Sequence, residues 1–226
     1  MSETPPKLVL ASTSRYRAEM LAKCCLLFEQ ERPEFKELLL AHEQPEATAL
    51  RLARGKSDMV TQLIADRDVF VSESGGVQPK HASVIVGSDQ IACLSGQILG
   101  KPGTSEKAIE QLTSCSGAWV SFFTGLHVIY RSADGLDIKR TNYTEEFSVK
   151  FRSLTAAEIK TYVHMDQPLD CAGSFKAEGL GLTLFENMKG RDIHTLYGLP
   201  LLKLLEILRS YGINPIDQSQ TPSLYK

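Results

Sequence analysis

The sequence predicts an α/β fold whose sheet combines parallel and antiparallel strands. Residues 8–11 form a short apolar run that leads directly into a helical pattern. Residues 84–86 form a β-branched run, which is typical of a buried strand in an α/β sheet. Further along, residues 119–130 and 138–151 form two long β runs separated by an Asp-Gly turn, which favours an antiparallel hairpin. Strands of both kinds are therefore expected, with helices beside them.

The first strand leads into residues 12–14, whose hydroxyl groups are typical of a helix start. Ser14 precedes apolar positions at helical spacing, and the free N–H groups and dipole of such a helix attract anions. Arg15, Tyr16 and Arg17 fall in the first turn, where positive charges oppose the dipole at a cost of roughly a few tenths of a kcal/mol. An anionic ligand among them would explain this cost, although solvated surface arginines would give the same pattern.

The next predicted elements are a strand at residues 26–29 and an acidic, proline-containing loop at residues 31–37. A loop carboxylate such as Glu34 or Glu37 could join a metal site. A lone carboxylate of this kind is more often simply solvated.

Residues 46–64 predict a helix with one apolar and one basic face. Gly55 weakens this helix by roughly 1 kcal/mol relative to alanine. Residues 66–81 contain two adjacent glycines and a proline, which indicates a long loop or an edge excursion. No catalytic pattern is present in this segment.

The stretch of residues 83–104 is predicted to bring a carboxylate and an ammonium group together. Its first strand should stop at Gly87, which places Asp89 and Gln90 at a strand's carboxyl end, where α/β sheets bind ligands. A two-residue hairpin turn then returns the chain, so that Lys101 lies beside Asp89. Such a pair suits phosphate chemistry, because the carboxylate can position a metal or a water and the ammonium can neutralise negative charge on the phosphate oxygens. A turn-forming aspartate and an ordinary loop lysine remain the alternative.

The rest of the chain supplies three helices and one glycine-containing segment. Helices are predicted from Thr104 to Gly117, from a capping box at Thr155, and from Pro200 to Gly212. The intervening residues 168–192 contain four glycines, so they form either ordinary loops or the wall of a ligand site. Glu178 is the candidate functional residue in this segment.

Composition limits the possible partners. The 226 residues are 42% apolar, enough for a sizeable core, so one domain spanning residues 1–226 is expected. A net charge of -2 disfavours nucleic acid as a main partner. The five cysteines are odd in number and lack CxxC spacing, which favours reduced thiols in a cytoplasmic compartment. Histidines without HxH or HExxH spacing make a zinc site unexpected, and no apolar run is long enough for a membrane span.

Several motifs, in the same order along the chain, resemble those of the Maf family of nucleoside triphosphate pyrophosphatases. They are LVLASTSRYR (8–17), LRLARGK (50–56), VGSDQ (86–90), LGKP (99–102), PLDCAGSFKAEG (168–179) and YGLP (197–200). The resemblance implies hydrolysis between the α and β phosphates of a nucleotide with a divalent cation, Mg²⁺ or Mn²⁺. It also implies an elongated mixed sheet flanked by helices, with a cleft between two lobes, as in Maf and inosine-triphosphatase-like folds. A homodimer is a further implication.

The resemblance also assigns roles to particular residues. Asp89 would accept the proton of the attacking water and, with Glu37, hold the metal. Phosphate contacts would come from Ser12, Arg17, Lys56 and Lys101. The chain departs from the usual family pattern at three positions. Proline is common at the position of Arg15, and an acid is common at the positions of Lys36 and Gly55.

The base preference follows from three further positions. The subgroup that acts on 7-methyl-GTP is similar at Gln90 and Glu178 and has an aromatic residue at the position of Tyr16. Because a 7-methylguanine ring is cationic, Tyr16 could stack on it and Glu178 could accept its N–H donors. This implies a pyrophosphatase for 7-methyl-GTP. The alternatives are a pyrimidine pyrophosphatase for dTTP, UTP or CTP, or a nucleotide-binding regulator of cell division or septum formation.

Overall fold

A computed structural model describes residues 5–67, 70–71, 77–78 and 81–217. In chain order the strands are β1 (Lys7–Ala11), β2 (Glu29–Glu31), β3 (Phe70–Val71), β4 (Val77–Gln78), β5 (Ser83–Leu94), β6 (Gln97–Leu99), β7 (Trp119–Arg131), β8 (Ile138–Phe151) and β9 (Phe185–Lys189). The helices are α1 (Arg15–Lys23), α2 (Pro45–Arg67), α3 (Ser105–Cys115), α4 (Ala156–Asp166) and α5 (Leu201–Ser210). Within these described parts, no helix is both long and apolar enough to cross a bilayer.

The main sheet has seven strands in the order β2-β1-β5-β7-β8-β9, with β6 paired to β5. β1 runs parallel to both β2 and β5, whereas β5, β7, β8 and β9 are successively antiparallel. The predicted α/β class with a mixed sheet is therefore confirmed. The long hairpin predicted from residues 119–151 is the pair β7 and β8.

Two strand predictions were wrong. β2 begins at Glu29 instead of residue 26, because the chain first turns through Cys25 (φ 56°) and buries Leu26 in the core. The central strand does not stop at Gly87, since β5 continues to Leu94 and pairs with β7 from Ser83 to Cys93. Asp89 therefore lies inside a long strand, just beyond Val86, the last β5 residue paired with β1.

The glycine at position 87 has a packing function. A Cβ there would lie 2.2 Å from the carbonyl oxygen of Ala53 in α2. Gly125, the β7 partner of Asp89, has a similar environment, since its Cβ would lie 2.4 Å from the Ala49 oxygen. These two glycines let α2 lie directly against the middle of the sheet.

α2 is longer than the predicted range of 46–64 and runs through Gly55 without interruption. Of the predicted loop at residues 66–81, the first two residues complete α2, and the strands β3 and β4 pair antiparallel. Residues 68–69, 72–76 and 79–80 lie outside the described residues. β9 was not predicted, because its mostly exposed side chains show no apolar alternation.

The apolar core is divided into two large clusters along β5. Val84 and Val86 belong to a cluster with α1 and α5, whereas Ala92 belongs to a cluster with α3 and α4. Asp89 lies on the strand between these two packed regions. The division agrees with the predicted two-lobed architecture and leaves space for a cleft at Asp89.

Candidate active site

A cleft of about 970 Å³ opens between the two clusters. It brings together every side chain that the sequence predicted for the site, although these lie on six different segments. They are Ser12, Tyr16, Arg17, Glu37, Lys56, Asp89, Gln90, Lys101 and Glu178. Glu34, the other carboxylate considered in the loop, is exposed and is not part of the cleft lining.

Lys56 joins the two predicted acidic residues. Its Nζ lies 2.6 Å from Asp89 Oδ1 and 2.6 Å from Glu37 Oε1. Lys56 and Asp89 are 7% and 8% exposed, so their pairing compensates two charges that would be costly to bury alone. Partial burial acts to raise the pKa of Glu37, but the Lys56 hydrogen bond and the charges of Lys56, Lys101 and Arg17 lower it below its usual value.

The geometry of β5 explains how Asp89 reaches this position. Side chains alternate along a strand, so Asp89 shares with Gly87 the face against which α2 packs. Lys56 lies on that helix and points at Asp89 across the short distance that the two sheet glycines allow. Ser88 and Gln90 lie on the opposite face of β5 and contact residues 195–198.

Arg17 is fixed at the start of α1. The Ser14 hydroxyl caps the helix by accepting from the Arg17 amide, and the Ser12 hydroxyl accepts from the Arg17 guanidinium at 3.2 Å. Arg17 Nε donates to the Gly198 carbonyl at 2.7 Å. Desolvation lowers the pKa of Arg17, whereas the nearby charges of Asp89 and Glu37 raise it. We call Arg17, Glu37, Lys56 and Asp89 the ion-pair end of the cleft; Lys101 lies exposed at its rim.

The two helix-start arginines both line the cleft but differ in exposure and partners. Arg17 faces the cleft as expected for a ligand-binding residue. Arg15 is exposed, pairs with Glu19 at 3.2 Å and lies with its guanidinium carbon 5.4 Å from the Tyr16 ring centre. Arg15 is therefore an exposed residue of the cleft lining that lies close to Tyr16.

The other end of the cleft is formed by Tyr16, Glu178 and Tyr197, which we call the aromatic end. Desolvation, followed by the charge of Glu178, raises the pKa of both tyrosines. The pKa of Glu178 is itself raised, first by desolvation and then by the charges of Asp166 and Glu19. The charge of Lys176, which also lines the cleft, acts in the opposite direction but does not cancel the rise. A carboxylate next to two aromatic rings can attract a positively charged planar group.

Comparison with known proteins identifies the family. A family model described as "Maf-like protein" matches residues 7–211. The chain belongs to the Maf family. It is also similar to a protein of Idiomarina loihiensis named 7-methyl-GTP pyrophosphatase, with 41% identity over 93% of this chain and 98% of the relative. A protein of the same name from Pseudoalteromonas atlantica shares 41% identity over 95% of this chain and its own whole length.

Behind the cleft of this Maf-family chain, Ser88 and Gly198 make a contact for which the sequence gave no role. Ser88 is fully buried, and its hydroxyl lies 2.8 Å from the Gly198 oxygen and 2.9 Å from the Gly125 oxygen. Gly198 thus accepts from both Ser88 and Arg17. The motifs VGSDQ and YGLP contained these residues, but the sequence had no signal that they meet across 110 positions.

Gln90 lines the cleft, but its amide group has other partners. Its Nε2 lies 2.7 Å from the Thr195 carbonyl oxygen and 3.2 Å from that of Leu196. Thr124 donates to the same Thr195 oxygen at 2.9 Å. Gln90 therefore anchors the segment that carries Tyr197 and Gly198, and its amide hydrogens are committed to the backbone.

Asp89 and Glu37 fit the requirements of a magnesium or manganese ion. Among the described residues, no group of three or more His, Cys, Asp or Glu side chains is arranged to hold a metal alone. Mg²⁺ usually takes only one or two protein carboxylates and completes its shell with water and substrate phosphates. One oxygen of each carboxylate lies 2.6 Å from Lys56 Nζ, so the two carboxylates are close enough to contribute to one such shell together with a phosphate ligand.

Proposed function

We propose that this protein hydrolyses 7-methyl-GTP to 7-methyl-GMP and pyrophosphate, which removes a modified nucleotide. The observation that carries this proposal is the cleft itself, with cations and carboxylates at the ion-pair end and Tyr16, Glu178 and Tyr197 at the aromatic end. A triphosphate and a cationic base need these two environments in one site. The names of the two relatives at 41% identity support the same substrate.

The ion-pair end supplies the groups that phosphoryl chemistry needs. Asp89 accepts a proton from the attacking water, since its carboxylate is buried and oriented by Lys56. Lys56, Arg17 and Lys101 neutralise the charge of the phosphate oxygens, and Ser12 offers a hydrogen bond. A divalent cation held by Asp89 and Glu37, Mg²⁺ or Mn²⁺, would neutralise charge on the phosphates when bound.

The aromatic end supplies the base preference. The 7-methylguanine ring is cationic, so it is attracted by the face of Tyr16 and by the carboxylate of Glu178. Uncharged pyrimidines lack this attraction. Gln90 contributes by holding residues 195–196, which orders the neighbouring Tyr197.

Two further properties belong to the same proposal. The odd number of cysteines without CxxC spacing supports a cytoplasmic location, where thiols stay reduced. The family resemblance supports a homodimer, which sedimentation of the purified protein would test.

A panel of nucleotides tests the function directly. We expect the purified protein with Mg²⁺ or Mn²⁺ to release pyrophosphate from 7-methyl-GTP with a higher kcat/KM than from GTP, dTTP, UTP or CTP. Asp89→Asn should reduce kcat by at least about 10²-fold, whereas Asp137→Asn, on the exposed surface before β8, should leave it unchanged. Equal rates for Asp89→Asn and the unaltered protein would overturn the mechanism.

The same panel separates the rival functions. A higher kcat/KM for dTTP, UTP or CTP would indicate a pyrimidine pyrophosphatase. Nucleotide binding without turnover would instead favour a regulator of cell division or septum formation.

A further inference from the structure

The segment of residues 32–44 brings Glu37 to Lys56 without any helix or strand of its own. Three of its apolar side chains, Leu38, Leu39 and Leu40, are each more than half exposed. Arg51 attaches the far part of the segment, since its guanidinium lies 2.8 Å from the Leu38 oxygen and 2.6 Å from Glu43. The part that precedes Glu37 needs a different attachment.

Phe35 provides that attachment. Its ring packs against an apolar cluster that also contains Leu52, Ile91 and Ile98. Leu52 lies on α2, which carries Lys56, and Ile91 follows Asp89 on β5. Ile98 lies on β6, which leads to Lys101. The Phe35 ring thus connects the Glu37 segment to the elements that position Lys56, Asp89 and Lys101.

Gly55 makes space for this ring. A Cβ on Gly55 would lie 2.2 Å from Phe35 Cζ and 2.3 Å from Cε2, so any other residue would displace the ring. Glycine is a poor residue inside a helix, yet α2 continues through it. The ring contact therefore explains why the residue before Lys56 is a glycine in this chain.

We propose that Phe35 and Gly55 form a positioning pair that fixes Glu37 against Lys56. Phe35 lies two residues before Glu37, and Gly55 immediately precedes Lys56, so the ring contact constrains the two backbones that the 2.6 Å ion pair joins. A side chain at the position before Lys56 would collide with the ring. Phe35 and Gly55 are therefore a matched pair, and changing one alone disrupts the other's contact.

Backbone exchange tests the positioning without using activity. Phe35→Ala should increase hydrogen–deuterium exchange of residues 34–38 in the free protein, and Gly55→Ala should do the same by expelling the ring. Leu40→Ala is the matched control, because it shortens an exposed apolar side chain of the same segment and should leave exchange unchanged. Unaltered exchange in both Phe35→Ala and Gly55→Ala would overturn the proposal.

A double-mutant cycle tests the matched pair. Gly55→Ala should lower the unfolding midpoint of the wild-type protein but raise it in the Phe35→Ala background, where the methyl group fits and alanine favours the helix. The double variant should also lose no more kcat/KM than Phe35→Ala alone. Two results would contradict direct contact between Phe35 and Gly55. One is a double variant whose loss of kcat/KM equals the product of the two single losses, and the other is a Gly55→Ala change in the unfolding midpoint that has the same sign in both backgrounds.

The effect on turnover rests on the proposed function. We expect Phe35→Ala to lower kcat/KM for 7-methyl-GTP by about 10- to 100-fold, because a small displacement of Glu37 disturbs the reacting geometry. Phe35→Leu should restore most of this loss. In a Glu37→Gln background, Phe35→Ala should have less than a two-fold effect, and a full effect there would contradict action through Glu37. If the wild-type protein does not hydrolyse 7-methyl-GTP, the proposed function fails, while the exchange result still decides the positioning role.

Discussion

The ion-pair end and the aromatic end of the cleft are organised by different forces. At the ion-pair end, Lys56 and Asp89 are buried and joined at 2.6 Å, so each charge fixes the other. At the aromatic end, Glu178 is more exposed and has a raised pKa, because desolvation and the charges of Asp166 and Glu19 outweigh the opposing charge of Lys176. The first arrangement is complete without a ligand. The second presents a carboxylate beside two aromatic rings, where a positively charged group can bind. The residues for reaction are thus separate from those for selection.

The largest expected effect comes from disrupting the ion-pair end at its centre. Lys56→Met should reduce kcat by about 10²- to 10³-fold for every nucleotide, because Asp89 and Glu37 lose their shared cation and the phosphates lose a positive contact. The ratio of kcat/KM between 7-methyl-GTP and UTP should stay within two-fold of the wild-type ratio. Lys203→Met, which removes a pair with Glu206 and a contact with the Tyr143 ring outside the cleft lining, is the control. A changed nucleotide ratio in Lys56→Met would contradict the separation of the two ends.

The aromatic end should show the opposite behaviour. Glu178→Gln keeps the shape of the side chain but removes its charge, so kcat/KM for 7-methyl-GTP should fall by about 10- to 100-fold, the usual value of a hydrogen bond to a charged group. The value for UTP should change less than about two-fold. Unmethylated GTP has the same N–H donors without the positive charge, so its loss should be smaller than that of 7-methyl-GTP. Steady-state kinetics on the three nucleotides measures both. Equal losses for all three would mean that Glu178 supports the whole site and does not select the base.

The sequence predicted the members of both ends better than it predicted the reasons for their positions. The sequence predicted Asp89 as a site residue but predicted that the strand stops at Gly87. A glycine that lets a helix pack closely against a strand has the same local sequence pattern as a glycine that ends the strand. Gly55 was interpreted as a weak point of α2, since nothing nearby in sequence indicates the ring of Phe35. Motifs identify chemical groups. The requirement for glycine at positions 55 and 87 instead comes from residues that are 20 or more positions away along the chain and adjacent in the fold.

Gln90 shows the same limit for base selection. Its place in the cleft agrees with the prediction, yet its amide hydrogens bond to the carbonyls of residues 195–196. Those carbonyls become partners only when the chain's last third folds onto β5. The sequence pattern that placed Gln90 in the site therefore gave no indication that its amide also orders a neighbouring wall.

The raised pKa of Glu178 gives the selection a pH dependence. Burial and the charges of Asp166 and Glu19 shift its protonation to higher pH than for an ordinary glutamate. The carboxylate, and with it the preference for a cationic base, is present above this raised pKa and is lost as the pH falls through it. The ratio of kcat/KM between 7-methyl-GTP and UTP should therefore decline on acidification. In Glu178→Gln the ratio should not vary over the same range, and a parallel decline there would assign the effect to another group.

The smallest expected effect concerns the aromatic ring itself. Tyr16 lies near the Arg15 guanidinium, 5.4 Å from the ring centre, so one side of the ring already has a cationic neighbour. A cation–π contact at a partly exposed site contributes roughly 0.5–1 kcal/mol, so Tyr16→Leu should lower kcat/KM for 7-methyl-GTP by about two- to five-fold. Tyr16→Phe keeps the ring and should remain within two-fold of wild type. The loss in Tyr16→Leu should be smaller for UTP, since an uncharged base has no cation–π attraction to lose. If Tyr16→Phe were as damaging as Tyr16→Leu, the hydroxyl group would be the important feature, and the aromatic end would select its base by hydrogen bonding instead of by charge.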